Sequence, residues 1–213
     1  TSGLDTVGIR CPKHDLTQQL LKKLPFPLAA PSANPFGYVS PTKPEHVNDQ
    51  LGDKIKYILD GGDCTIGIES TIVGFESDLP TIYRMGGLSV ESLEQAIGKV
   101  YIQTHSSSNP KAPGQLKSHY APLKKVIVGN IEELLQQHST SRTALLTFSK
   151  DFRHSYQFIL SPSASMNEAA QNLFTALREL DKMPIDVILA EFVPELGLGK
   201  AINDRLIRAA ALG

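Results

Sequence analysis

The chain has 213 residues, 41% of them hydrophobic and 20% charged, with a formal net charge of −1. That composition supports a buried core in one large domain or two ordinary ones. A near-neutral balance excludes the global basic field of a non-specific nucleic-acid binder, so any anionic ligand must be held by locally placed groups.

In chain order, Thr6-Val7-Gly8-Ile9-Arg10 reads as a strand stopped by Cys11-Pro12. Cys11 and Cys64 allow at most one bridge. With no CxxC or His/Cys cluster they do not point to zinc, and they are expected as reduced, buried thiols of a cytoplasmic protein. Leu16, Leu20, Leu21 and Leu24 recur at helical spacing after Asp15, a plausible cap. Pro27-Leu28-Ala29-Ala30 is a short strand feeding Pro31-Ser32-Ala33-Asn34-Pro35-Phe36-Gly37-Tyr38-Val39-Ser40-Pro41-Thr42. Three prolines and a glycine specify that loop tightly. Its hydroxyls and amide suit a ligand, although residue types alone tip toward a stiff surface loop. A helix follows over residues 44–51, with Pro44 in its first turn.

Strands are expected at residues 57–60, before Gly61-Gly62, at residues 70–75, and at residues 81–84, before Gly86-Gly87. Ser89, Ser92, Leu93 and Ile97 open a helix. Residues 101–123 are rich in Ser and Pro, carry two lysines and no acid, and read as a linker. Beyond them come a strand at 124–129, a helix at 131–138, a strand at 143–148, a long amphipathic helix at 166–180, a strand at 185–190 and a closing helix at 201–211. This strand–helix repetition implies a small Rossmann-like α/β domain, although no GxGxxG supports a dinucleotide site. The expected organisation is thus a mixed α/β domain over 1–100, a linker over 101–123 and a second α/β domain over 124–213. No apolar run is long enough to cross a membrane and no signal peptide is visible, so no membrane partner is expected.

Candidate ligand groups lie mostly in the first hundred residues. Arg10 closes a strand, where a guanidinium grips a carboxylate bidentately, although a lone arginine is more often a surface residue. Ser32 and Asn34 are two apart and share a side of an extended segment; turn capping accounts for them nearly as well. Ser70 and Thr71 form a second hydroxyl cluster that local backbone bonds also explain. Arg84 stands before a Gly-Gly turn of the sort that admits phosphates closely, without a Walker pattern. His119-Tyr120, between Pro113 and Pro122, offers an aromatic that stacks on a base or pins the linker. No nucleophile, general base, metal-binding helix or carboxylate pair is assignable.

Taken together, these runs resemble the threonylcarbamoyl-adenylate synthase family in its two-domain form. Matching segments are residues 6–12, 30–34 through 40–42, 59–62, 69–73, 84–87, Pro113-Gly114 with His119-Tyr120-Ala121-Pro122, and Ala201-Ile202-Asn203-Asp204-Arg205, in the family's order. The resemblance implies the C-terminal portion of a YrdC-like mixed α/β domain with a twisted sheet, a linker, and a small Rossmann-like α/β domain. It implies a cytoplasmic nucleotidyltransferase that condenses L-threonine, bicarbonate (or CO2) and ATP into threonylcarbamoyl-AMP and pyrophosphate. A downstream tRNA-modifying threonylcarbamoyl transferase complex then uses the product beside the anticodon. By the same resemblance, Arg10, Ser32 and Ser70 contact threonine, and Thr6, Asn34, Thr42, Arg84 and Tyr120 contact ATP. Tyr120 belongs to a linker lid. Mg2+ is expected to travel with ATP, with no protein metal cage and no organic cofactor. The family's domain begins well before the segment matching Thr6, so further N-terminal sequence is expected, with an early strand and a Lys-x-Arg pair.

A carbamoyl transferase of a hydrogenase-maturation protein is disfavoured by the C-terminal domain and the lack of zinc-finger cysteines. An RNA- or nucleotide-binding module without catalysis is disfavoured by 9 Lys/Arg against 12 Asp/Glu over residues 1–100.

Overall fold

The computed structural model describes residues 5–104 and 119–211. Its first unit opens with two short helices, α1 (Asp15–Leu21) and α2 (Pro44–Leu51). A three-stranded sheet follows, made of β1 (Ile72–Glu76), β2 (Leu79–Arg84) and β3 (Tyr101–Ile102), with α3 (Val90–Ile97) between β2 and β3. Strands β1 and β2 form an antiparallel hairpin and β3 pairs parallel to β2. Ser77 and Asp78, at φ 49° and 65°, supply the paired left-handed residues that match a two-residue turn to strand twist. Helix α3 starts where expected, because the Ser89 side chain accepts from the Ser92 amide.

Three expected strands are not formed. Residues 6–10, 27–30 and 57–60 belong to no ladder, and Ile9 and Tyr57 are 90% and 89% exposed. Strand hydrogen bonds are made between segments, so β-branched composition yields a strand only where a partner lies alongside. None of the described residues lies alongside these three segments as a paired strand. Two smaller expectations also fail. Helix α1 is capped by the His14 ring and not by Asp15, and Cys11 and Cys64 are exposed free thiols.

The second unit is a four-stranded, all-parallel sheet in the order β4-β7-β5-β6. Its elements are β4 (Lys125–Val128), α4 (Ile131–Gln137), β5 (Thr143–Thr147), β6 (Gln157–Ile159), α5 (Met166–Asp181), β7 (Val187–Ala190) and α6 (Gly199–Ala210). The short β6 is an element the sequence reading missed. Period-two alternation divides the strand residues between two faces. Ala144, Leu146, Ile188 and Ala190 face α5 and α6, whereas Leu145, Val187 and Leu189 face α4. Both faces are covered, as parallel sheets require.

Helix α5 shows how local sequence fixes an element. The Ser165 side chain accepts from the Glu168 amide, the Ser-x-x-Glu spacing of a capping box, and Ala169, Ala170, Leu173, Phe174, Ala176, Leu177 and Leu180 supply a buried stripe. Ser165→Ala is expected to lower stability by about 1 kcal/mol, read as a urea midpoint shift at unchanged m value.

The main core does not stop at the second unit. Val39, Ile68 and Tyr120 pack in the same cluster as Phe174, Leu177, Ile202 and Leu206. Burying each of these large side chains contributes about 1.5–3 kcal/mol, so the two units are joined by core packing and not by a tether alone.

Candidate active site

The hairpin register sets Arg84 opposite Ile72, which brings its guanidinium beside Ser70. Arg84 Nε donates to the Ser70 carbonyl at 3.0 Å and Nη2 to Ser70 Oγ at 3.2 Å. The neighbouring turn closes on the same segment, with the Gly87 amide donating to the Glu69 carbonyl at 2.9 Å. A Cβ on Gly86 would come within 2.2 Å of that carbonyl oxygen, so only glycine lets the two backbones approach. The Gly-Gly turn therefore presses Glu69-Ser70 into place.

Glu69 carries the electrostatics. Its carboxylate accepts from Ser40 Oγ at 2.7 Å and from Arg205 Nε and Nη2 at 3.3 and 3.1 Å. Burial alone would raise its pKa; Arg205, Ser40 and Arg84 outweigh that and hold the carboxyl below the ordinary glutamate range. Arg10, itself exposed, lies close enough for its charge to be felt at Arg84. Arg208 pairs with Asp204 at 3.0 Å, and Asp204 with Arg205 at 3.1 Å. The guanidinium groups of Arg84, Arg205 and Arg208 thus gather around the carboxylates of Glu69 and Asp204, with Arg10 at the margin. This local cationic surplus suits an anionic ligand within an overall acidic unit.

A group whose folded pKa is depressed contributes stability that is complete above its unfolded value and lost as pH falls through the folded one. For Glu69 the loss begins near pH 4.5, the ordinary value, and continues below it. The wild-type advantage over Glu69→Gln should therefore be full at neutral pH and shrink steadily below about pH 4.5 in urea titrations.

Tyr120 packs into this cluster. It is 2% exposed, stacks on Phe174 at 5.4 Å and lies under the Arg205 guanidinium at 5.4 Å. Its φ of 63° is a left-handed conformation that a bulky residue adopts only when its surroundings enforce it. The Ala121 amide, donating to the Gly37 carbonyl at 2.9 Å, ties it to the loop at residues 31–42. Burial and Glu69 raise its phenol pKa, which keeps the hydroxyl neutral. The edge of the His119 ring meets Phe36 at 6.4 Å.

The loop itself is clamped from α5. Arg178 donates to the Ser40 carbonyl at 3.2 Å, to the Val39 carbonyl and to Gln50 Oε1, and its guanidinium sits 5.0 Å from the Tyr38 ring. Tyr38 donates to Asp181 at 2.7 Å, and burial with that bond pushes its pKa up to about 12. Asn34 Nδ2 bridges the Pro35 and Tyr38 carbonyls at 2.9 and 3.0 Å. Its Oδ1 is buried without a hydrogen-bond partner among the described residues. An orphaned buried acceptor calls for a donor from a ligand or water.

Of the residues singled out from the sequence, Arg84, Ser70 and Tyr120 meet in one cluster, with Arg10 at its margin and Asn34 in the adjoining loop. Thr6 and Ser32 are exposed. Thr42 turns toward α5, where its hydroxyl meets that of Thr175 at 2.9 Å and the His46 ring at 3.3 Å. Pro113 and Gly114 lie outside the described residues. The reading gave no role to Glu69, Ser40, Arg178, Asp204, Arg205 or Arg208, which organise the cluster. Among the described residues no group of three or more His, Cys, Asp or Glu side chains is arranged to hold a metal ion.

A wide hollow of about 450 Å³ lined by Arg142, His154 and Tyr156 lies elsewhere. It sits at the amino ends of the parallel strands, whereas open α/β sheets bind ligands beyond the carboxyl ends. Arg142 is moreover already paired with Asp186 at 2.7 Å.

Comparison with known proteins adds independent findings. The family described as "Threonylcarbamoyl-AMP synthase, C-terminal domain" matches residues 88–211, and the one described as "Telomere recombination" matches residues 1–86. The threonylcarbamoyl-AMP synthase of Pyrococcus abyssi is 39% identical over 99% of this chain and that of Bacillus subtilis 36% identical over 99%. The chain spans 65% and 64% of those two relatives, about two thirds of their length. The crystal structure of P. abyssi Sua5 complexed with L-threonine is similar with a TM-score of 0.91, at 39% identity, covering 99% of this chain and 65% of that one. A variant of that protein with a histidine and the following tyrosine both changed to alanine is similar with a TM-score of 0.86, at 35% identity, covering 98% of this chain and 64% of that one.

Proposed function

The chain belongs to the threonylcarbamoyl-AMP synthase family, and on that premise we propose that the complete protein condenses L-threonine, bicarbonate (or CO2) and ATP into threonylcarbamoyl-AMP, releasing pyrophosphate. The observation that carries this reading is the Arg84–Ser70 pair, fixed by the Gly86 turn beside a strained Tyr120. The similarity to a structure complexed with L-threonine supports the choice of amino acid.

The reaction needs no protein nucleophile. Threonine's amine captures CO2 with loss of a proton, and a carboxylate oxygen of the resulting carbamate attacks the α-phosphorus in line. Pyrophosphate leaves with the electron pair of the broken P–O bond. Catalysis is then positioning and charge neutralisation. In this scheme Arg10 receives the threonine carboxylate, and Ser32 and Ser70 its polar groups. Arg84 lies between the two substrates, neutralising phosphate charge while holding Ser70. Asn34 offers its free Oδ1 to a nucleotide donor and Thr6 adds a further nucleotide contact, whereas the Thr42 hydroxyl, engaged with Thr175, would have to exchange that bond to join them. Tyr120 covers the bound nucleotide as part of a lid. The present chain has one His-Tyr dipeptide, His119-Tyr120, of the same residue types as the adjacent pair changed to alanine in the P. abyssi variant. Mg2+ enters with ATP as the counter-ion of its phosphates.

The product is an activated carbamoyl donor, so its consumer is a threonylcarbamoyl transferase complex acting on tRNA. The reading accordingly fits a cytoplasmic enzyme; no helix among the described residues is long and apolar enough to cross a membrane. The complete protein, given ATP, threonine and bicarbonate, should release pyrophosphate at a rate that falls to background when threonine is omitted. Threonine-independent release, or none from folded protein, would refute the proposal.

A further inference from the structure

Helix α6 carries charge where an amphipathic helix carries apolar side chains. Ile202, Leu206 and Ala209 form its buried stripe, and Arg205 lies between them with 0% exposure. A guanidinium removed from water persists only if its donors are spent on partners. Arg205 spends them on Glu69 Oε2 through Nε and Nη2, and through Nη1 on Asp204 Oδ2 at 3.1 Å and the Ala201 carbonyl at 3.5 Å. Its guanidinium carbon sits over the Tyr120 ring, 5.4 Å from the ring centre. One turn on, Arg208 returns to Asp204 and reaches the Thr104 carbonyl at 3.1 Å, while the Arg208 carbonyl accepts from the His119 amide at 3.4 Å.

One helix of the second unit therefore grips three parts of the site. It holds Glu69, whose neighbour Ser70 is a threonine contact in the proposed function. Through Glu69 it reaches Ser40 in the proline-stiffened loop, and it backs Tyr120 directly. We infer that Arg205 is a positioning residue for both substrates, so that the C-terminal unit completes the active site of the first unit. Glu69 transmits its position to Ser70, and the Tyr120 ring transmits it to the nucleotide.

The inference rests on the threonine reading, and the competing account is that the ion pair only holds the units together. Glue is replaceable: a buried pair exchanged for neutral side chains of similar volume often leaves stability intact. Two variants of the complete protein separate the accounts, each verified as folded by its thermal melt. Arg205→Lys keeps the charge but loses the planar two-bond grip and the ring contact. Glu69→Gln with Arg205→Met removes the pair without leaving an unpaired charge.

Positioning predicts that each raises KM for threonine by about tenfold or more, and that Arg205→Lys also raises KM for ATP. It further predicts that the threonine effect of Arg205→Lys shrinks to less than about twofold in a Ser70→Ala background, because the contact it acts through is gone. Folded variants with wild-type KM values, or equal effects of Arg205→Lys with and without Ser70, overturn the inference alone. A wild-type protein that neither binds threonine nor consumes ATP in the same assays overturns the proposed function, and the inference with it.

Discussion

Arg84→Met is expected to leave a folded protein whose kcat/KM for pyrophosphate release falls by about two to three orders of magnitude, the usual effect of removing one preorganised charge-stabilising group. Arg84 is 7% exposed at the end of β2, where its stem packs and its head bonds both the backbone and the hydroxyl of Ser70. Methionine keeps the stem and removes the head. On the proposed function two losses then coincide: the phosphate side would lose a cation, and Ser70 loses the bonds that hold it. Burial works against the charge on Arg84 while Glu69 favours it, so the group is a cation held ready by its neighbour. Steady-state kinetics with a thermal melt of the same sample read the effect. A loss smaller than about tenfold would mean that Arg84 is structural only.

The largest stability effect is expected at Gly67. Its φ is +74°, and a Cβ there would lie 2.3 Å from the Gln171 carbonyl oxygen, 2.5 Å from Gln171 Cα and 2.6 Å from the Ala170 carbonyl oxygen. All three are backbone atoms of α5, so no side chain can swing aside. Gly67→Ala should cost about 3 kcal/mol, combining left-handed strain of about 1–2 kcal/mol with overpacking of about 1–3 kcal/mol. The clash sits between the two units, so separation of α5 from the Glu69 segment should accompany the loss. A urea midpoint shift gives the magnitude, and activity should fall with it. A neutral Gly67→Ala would contradict the close approach.

The second unit was legible because its elements carry their own instructions. Ser165 and Glu168 announce α5, Asn130 caps α4, and the apolar strand runs are buried on both faces. In the first unit, residues 6–10 and 57–60 have strand composition, but a strand is a property of two segments and only one side of the pairing is in the composition. The site divides in the same way. Ser70, Arg84 and Tyr120 announced themselves as hydroxyl, cation and aromatic beside turns. Glu69 and Arg205 did not, because their meaning lies in a contact across 136 positions of sequence. The signal available was an arginine on the apolar stripe of α6, which demands a buried acid without naming it. No single motif here distinguishes a ligand loop from a stiff surface loop; the family resemblance rests on the ordered set of runs and not on any one of them.

The central claim is that this chain forms part of an enzyme making threonylcarbamoyl-AMP. Incubating the complete protein with ATP, L-threonine and isotopically labelled bicarbonate, then weighing the nucleotide products by mass spectrometry, tests it most directly. The account predicts an adenylate carrying both threonine and the labelled carbon, formed one-for-one with pyrophosphate and absent when either co-substrate is withheld. Pyrophosphate accompanied by unmodified AMP, or by a threonyl adenylate without the label, would contradict it.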